Sequence, residues 1–379
     1  MVNQNRLAGT FKFLAEINSV SKEEHTLCME IKKMVESMGA ETCVDDAGDK
    51  IGGNTGNLIA KFKGNRKVPP LLLNAHMDTV EPGKGVNAIL SDGVFTSDGT
   101  TILGADDKSA IAILIESIKI IQENELPHGP LELVFTVCEE IGLLGAKHLD
   151  LDRITATFGY ALDATDTEGI VTRAPCANRF TIKVHGKDAH AGAAPEKGIN
   201  AISLASKAIA NLELGRIDPE TTCNIGIIEG GTATNIVPNL VTIKGEVRSH
   251  DEEKMDRVTD TIVSSFKEIV ENYKSMTSDN TRPRLEIEIQ KDFPRTYVPD
   301  DHAVVTLACR AAENLGRKMK TKISGGGADA NIFFEKGIMT GVLGTGMLDM
   351  HTVRESVRLD DMVRTTELLL EIIRVHAVG

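Results

Sequence analysis

The hydrophobic rhythm of this chain changes twice, near Arg173 and again at Asp300, and that double change constrains the fold more than any single motif. From Leu7 to Met38 apolar residues recur at helical spacing, with a break at Asn18–Ser21 that predicts two helices. Strand-like runs follow at Glu41–Asp45, Asn57–Phe62 and Val68–Ala75. A helix over Lys108–Gln122, apolar on most faces, then leads into a buried strand at Leu131–Cys138. Strands alternating with helices predict an α/β fold, with a mixed, largely parallel sheet flanked by helices.

After Arg173 the order is different. Phe180–His185 alternates with period two, Ile199–Leu212 reads as a helix, and Thr222–Ile228 and Val241–Val247 read as strands. Met255–Tyr273 is a long amphipathic helix, and Leu285–Gln290 alternates again. Strand, helix, two strands, helix, strand is the split-βαβ (ferredoxin-like) arrangement with an antiparallel sheet. The α/β pattern resumes with a helix to about Leu315, the Gly325–Gly327 turn, a short strand at Met339–Leu343 and a final helix over Asp360–Val375. A small domain is therefore inserted into a larger one: residues 1–175 and 294–379 form the two parts of the larger domain, and 176–293 the insert. At 379 residues the chain exceeds the ~250–300 at which a single core stops growing, which agrees with two domains.

The formal charge of −13 argues against a nucleic-acid or anionic-membrane partner, since both reward clustered Lys and Arg. Six cysteines without a Cys-x-x-Cys pair read as reduced thiols of a cytoplasmic protein. The N-terminus lacks the apolar core of a signal peptide. The longest greasy stretch, Ala110–Ile121, is interrupted by Glu116 and Lys119 and is too short to span a bilayer.

Six side chains of metal-binding type sit at the ends of apolar runs or beside Gly-rich turns: His76, Asp106, Glu139, Glu140, Asp163 and His351. Imidazole and carboxylate are zinc ligands, and a spare carboxylate serves as base to a metal-activated water. Taken singly each has an ordinary explanation. His76-Met-Asp78 fits a turn, Asp106-Asp107 a helix start with first-turn acids, and Glu139-Glu140 a solvated loop. A Cys138 nucleophile is disfavoured by the neighbouring carboxylates, which oppose a thiolate.

Taken together and in order, the segments Leu71–Asp78, Gly104–Lys108, Phe135–Gly142, Ala161–Ala164 and Asp349–Thr352 resemble the di-zinc exopeptidase and deacylase metallopeptidase family. That family contains peptidase T, carnosine-type dipeptidases, aminoacylases and succinyl-diaminopimelate desuccinylase, and the resemblance is of the peptidase T kind. It implies a zinc-exopeptidase catalytic fold with the insert as a lid and dimerisation domain. It implies two Zn2+ per chain, with Co2+ or Mn2+ as substitutes: His76, Asp106 and Asp163 on one ion, Asp106, Glu140 and His351 on the other. Glu139 is then the general base, and Asp78 the catalytic-site carboxylate that orients His76. The substrate-binding positions it implies are His190, Asn235, Arg248 and Gly326, and its homodimers pair through the lid. The function implied is an aminopeptidase hydrolysing short peptides, tripeptides above all. The alternative within the family is an N-acyl or N-succinyl amino acid amidohydrolase.

Overall fold

Six consecutive buried residues, Leu71–His76, form the strand around which the larger unit is built. A strand buried on both faces reads as a continuous apolar run, because helices cover the sheet on each side. In this computed structural model, which describes residues 2–274 and 280–379, that strand lies between Leu131–Thr136 and Phe158–Ala164, parallel to both. Met339–Gly344 adds a fourth parallel strand beside Phe158–Ala164. Antiparallel neighbours extend the nine-stranded sheet, with Leu58–Phe62 and Glu41–Val44 on one side and Gly169–Ala174 and Thr296–Tyr297 on the other. The ninth strand, Lys320–Ile323, pairs parallel with Gly169–Ala174. The mixed, largely parallel sheet read from the sequence is thus present, with its parallel strands at the centre.

Gly159 is required by this pairing, since a Cβ there would lie 2.0 Å from the carbonyl oxygen of Leu72 on the adjacent strand. The helix Ala105–Glu123 packs against Leu71–His76 and is buried from Ala105 through Ser117 without a gap. Its apolar residues join Leu7, Phe11 and Leu14 of the helix Gln4–Ala15 and Leu369, Ile372 and Ile373 of the C-terminal helix Leu359–Val378 in one core.

Residues Pro175–Arg295 form a second unit, and the larger one comprises the chain up to Ala174 together with Thr296–Gly379. The second unit's five-stranded sheet runs Gly215–Asp218, Thr221–Gly230, Leu240–Ser249, Cys176–His185, Arg284–Phe293, antiparallel throughout. The helix Glu252–Glu271 begins at Asp251, whose side chain accepts the Lys254 N–H, and has Glu252 and Glu253 in its first turn. Its buried residues Met255, Thr259, Ile262 and Phe266 repeat at the helical period, and the three apolar ones pack with Ile182, Ile243 and Val247 of the sheet. This unit therefore has a core of its own.

Candidate metal centre

The carboxyl ends of parallel strands collect ligands in open α/β sheets, because the turns into the next elements leave a crevice there. His76 is the last residue of its strand, in register with Thr136, and Glu139 follows three residues after Thr136. Asp163 is the penultimate residue of Phe158–Ala164. His76 is 2% exposed; its Nε2 lies 3.0 Å from Asp106 Oδ1 and its Nδ1 2.9 Å from the carbonyl oxygen of Asp78. The other oxygen of Asp106 lies 3.4 Å from His351 Nε2, which is also 2.9 Å from Glu140. One ligand atom each from His76, Asp106 and Glu140 lies within 4.8 Å of the others. Asp106 thus faces one imidazole with each oxygen.

Asp78 sits differently from what orientation of His76 alone requires. Its carboxylate is 3.5 Å from His76 Nδ1, farther than its own carbonyl oxygen. Three donors hold it elsewhere: the Ser21 hydroxyl at 2.6 Å, the Glu139 N–H at 2.8 Å and the Glu140 N–H at 3.2 Å. Asp78 therefore fixes the backbone that carries both glutamates.

Asp106 and Asp107 do not begin a regular helix, since their backbone angles (φ −81°, ψ 101° and φ −121°, ψ 25°) lie outside the helical region. Asp107 is fully buried and accepts the His76 N–H at 3.1 Å, so it braces a strand end rather than facing solvent as a first-turn acid. Lys108 is also fully buried, donating to the carbonyl oxygens of Ile17 at 2.6 Å and Ala15 at 3.4 Å. Burial pushes its pKa down to about 7. Glu355, which was not among the expected site residues, and Asp329, which ends the expected Gly-rich turn, are buried beside this assembly. Glu355 accepts three N–H groups of the Leu103–Asp106 turn, and Asp329 accepts the Thr136 hydroxyl.

The electrostatics suit a cationic occupant. Burial raises Glu139 and Asp163 well above the ordinary carboxylate range, with neighbouring carboxylates adding to the shift. Hydrogen bonds to Asp106 and Glu140 raise His351 to about 10. His76 is raised well above its usual value because its bonds to Asp106 and Asp78 outweigh the opposing effect of burial. Protons on these imidazoles supply positive charge that a dication would replace. His76, Asp106 and Glu140, with Asp106 between His76 and His351, are a donor set of imidazole and carboxylate that fits a bound metal.

The remaining expected residues are placed as follows. Gly326 lies in a turn where its N–H donates to Ser324 Oγ at 3.0 Å; Gly325–Gly327 all avoid positive φ, so no left-handed nest forms. In the second unit His190 is exposed, and its Nδ1 accepts the N–H groups of Gly192 at 3.2 Å and Ala193 at 3.1 Å. That fixes the ring proton on Nε2. Exposed Asn235 accepts the Ala191 N–H through its backbone oxygen, and Arg248 pairs with Glu246 at 3.0 Å and lies over the Phe293 ring.

Residues 177–274 match the model of the Peptidase dimerisation domain, and residues 57–177 that of Peptidase family M28. The chain is 42% identical to the uncharacterized protein YqjE of Bacillus subtilis (strain 168) over 98% of its own length and 99% of that protein's. Aminopeptidase PepT from Bacillus cereus ATCC 10987 superposes with a TM-score of 0.89 at 40% identity, covering 100% of both chains. A tripeptidase from Staphylococcus aureus subsp. aureus Mu50 does so with a TM-score of 0.93 at 37% identity, again over 100% of both. With likeness of this extent at these identities, the chain belongs to the M20 exopeptidase family and is peptidase T-like.

Proposed function

We propose that this protein is a di-zinc metalloaminopeptidase that hydrolyses short peptides, tripeptides foremost. The observation that carries the reading is Asp106, placed with one oxygen toward His76 and the other toward His351. His76, Asp106 and Asp163 would hold one ion and Asp106, Glu140 and His351 the other, with Co2+ or Mn2+ as substitutes. Bound there, the metal pair supplies Lewis acidity and lowers the pKa of water toward ~7.

Glu139 accepts the proton of the attacking water and delivers it to the departing amine. Its buried position keeps its basicity high, and the Asp78 hydrogen bond to its N–H fixes where it points. His190, with its proton held on Nε2, is suited to donate to the developing oxyanion, an interaction worth ~3 kcal/mol in comparable sites. Arg248 takes the peptide's terminal carboxylate, and Asn235 and Gly326 complete the contacts to substrate. The functional form is a homodimer through the lid. The outer edge of Thr221–Gly230 supports this, since its last five residues, with Ile227 and Ile228, are exposed. Six free cysteines suit the reducing cytoplasm, and among the described residues no helix is long and apolar enough to cross a membrane.

A substrate panel tests the reading. Zinc-loaded protein should release the N-terminal residue from free tripeptides faster than it cleaves dipeptides, and leave N-acetyl and N-succinyl amino acids nearly untouched. Preference for the acylated compounds would assign the protein to the amidohydrolase branch instead.

A further inference from the structure

The two ligand loops that reach Asp106 and His351 are about 245 residues apart in sequence, yet a single side chain joins them. Glu355 is 1% exposed. Its Oε2 accepts the N–H groups of Leu103 and Gly104, each at 2.7 Å, and its Oε1 accepts the Asp106 N–H at 2.9 Å. All three donors belong to the turn that delivers Asp106, where Gly104 adopts φ +74° and the chain has not yet become helical. Those N–H groups have no partner of the helical kind, so the carboxylate is their hydrogen-bonding solution.

The other end of the connection is equally fixed. The Glu355 N–H donates to the Thr352 carbonyl, closing a turn directly after His351, whose own φ is +62°. Immediately after Glu355 the chain enters the strand Ser356–Arg358, which is in register with Val94–Thr96. Glu355 is thus anchored to a sheet on one side and stands between a ligand held in an unfavourable backbone region and the turn of another ligand.

We propose that Glu355 is a positioning residue that sets the separation of Asp106 and His351, and thereby the affinity of the centre for its second ion. It touches neither substrate nor metal, and the proposal rests on the metal-centre reading above. A carboxylate is needed for two reasons. It offers acceptors on both oxygens to three donors, which an amide cannot, and its charge strengthens each bond. Gln at this position would set an N–H₂ group against N–H donors, and Asp would fall one methylene short of the turn.

The test is metal affinity measured on chelator-stripped protein by Co2+ and Zn2+ titration against a chromogenic competitor. Wild type, Glu355→Gln, Glu355→Asp and a control, Glu132→Gln, are compared, each also by thermal unfolding. Glu132 is 3% exposed and likewise accepts backbone N–H groups, those of Thr155 and Ala156, but belongs to neither ligand loop. Both Glu355 variants should bind the weaker of the two ions 10–100-fold less tightly, the usual cost of losing a group that orients a ligand. Their Co2+ absorption should change in the visible bands that report ligand geometry. Glu132→Gln should lose thermal stability to a similar degree yet keep wild-type metal constants. The proposal is overturned if either Glu355 variant, whichever folds, binds both ions with wild-type constants, or if Glu132→Gln weakens them equally. Wild-type protein that takes up fewer than two ions would contradict the metal-centre reading itself.

Discussion

The carboxylate of Asp78 accepts the backbone N–H of Glu139 at 2.8 Å, so the strand end that carries His76 also sets the direction of the proposed base. Replacing Asp78 by Asn preserves volume but turns one acceptor into a donor, facing the Ser21 hydroxyl or an N–H of the glutamate pair. Asp78→Asn should lower kcat by roughly 10–100-fold while leaving KM within a few-fold, as expected when a group that positions others is lost. Steady-state kinetics on the metal-loaded variant checks this. A large rise in KM at unchanged kcat would place Asp78 in substrate binding instead.

The metal-free protein should show a defined pH dependence. Its folded state raises His351 to about 10 from an ordinary value near 6.5, so it retains a proton that the unfolded chain releases between those limits. The contribution is complete below about 6.5 and is lost as pH rises toward 10. Lys108 acts in the opposite sense, because burial lowers its pKa to about 7, so between that value and the ordinary ~10.4 the unfolded chain binds a proton that the fold does not, and stability from this group falls as pH drops across that window. The difference between wild type and His351→Asn isolates the first effect. The stability advantage of chelator-treated wild type over the variant should shrink between pH 6.5 and 10 in thermal unfolding. A constant or growing difference would contradict the proposed pairing of His351 with Asp106 and Glu140.

What the sequence disclosed and what it hid divide along physical lines. The strand-end positions of His76 and Glu139 were legible because a run of apolar residues ends at each, while the roles proposed for them came from the family resemblance. The inserted unit was legible because period-two alternation in Phe180–Val184 and helical periodicity in Met255–Phe266 survive in a small core. Asp107 was not, since a second acid before a helix looks like a first-turn charge, whereas the chain there turns inward and buries it. Glu355 was hidden because its partners are backbone N–H groups, which leave no mark on composition. The four-stranded sheet containing Ile89–Ser91, Val94–Thr96, Met347–Leu348 and Ser356–Arg358 escaped notice because strands of two or three residues are too short to show a period.

The carboxylate between the imidazoles should be the least replaceable ligand. Asp106→Asn should reduce metal content from near two ions per chain to well below one, since the position serves both. His76→Ala and Asp163→Asn should each deplete one ion preferentially. Elemental analysis after gel filtration without chelator measures all three. Equal, partial loss in every variant would argue against a bridging Asp106.

The claim on which the mechanism depends is that Glu139 moves the proton and Glu140 holds metal. Metal content and single-turnover rates of Glu139→Gln and Glu140→Gln, measured side by side, test it most directly. Glu139→Gln should retain both ions and lose ~10²–10⁴-fold or more in rate, because an amide fills the space but accepts no proton. Glu140→Gln should lose the second ion, with added zinc restoring part of the activity. If Glu139→Gln loses metal while Glu140→Gln keeps it, the two roles are reversed; if Glu139→Gln turns over peptide at the wild-type rate, the proposed mechanism is wrong.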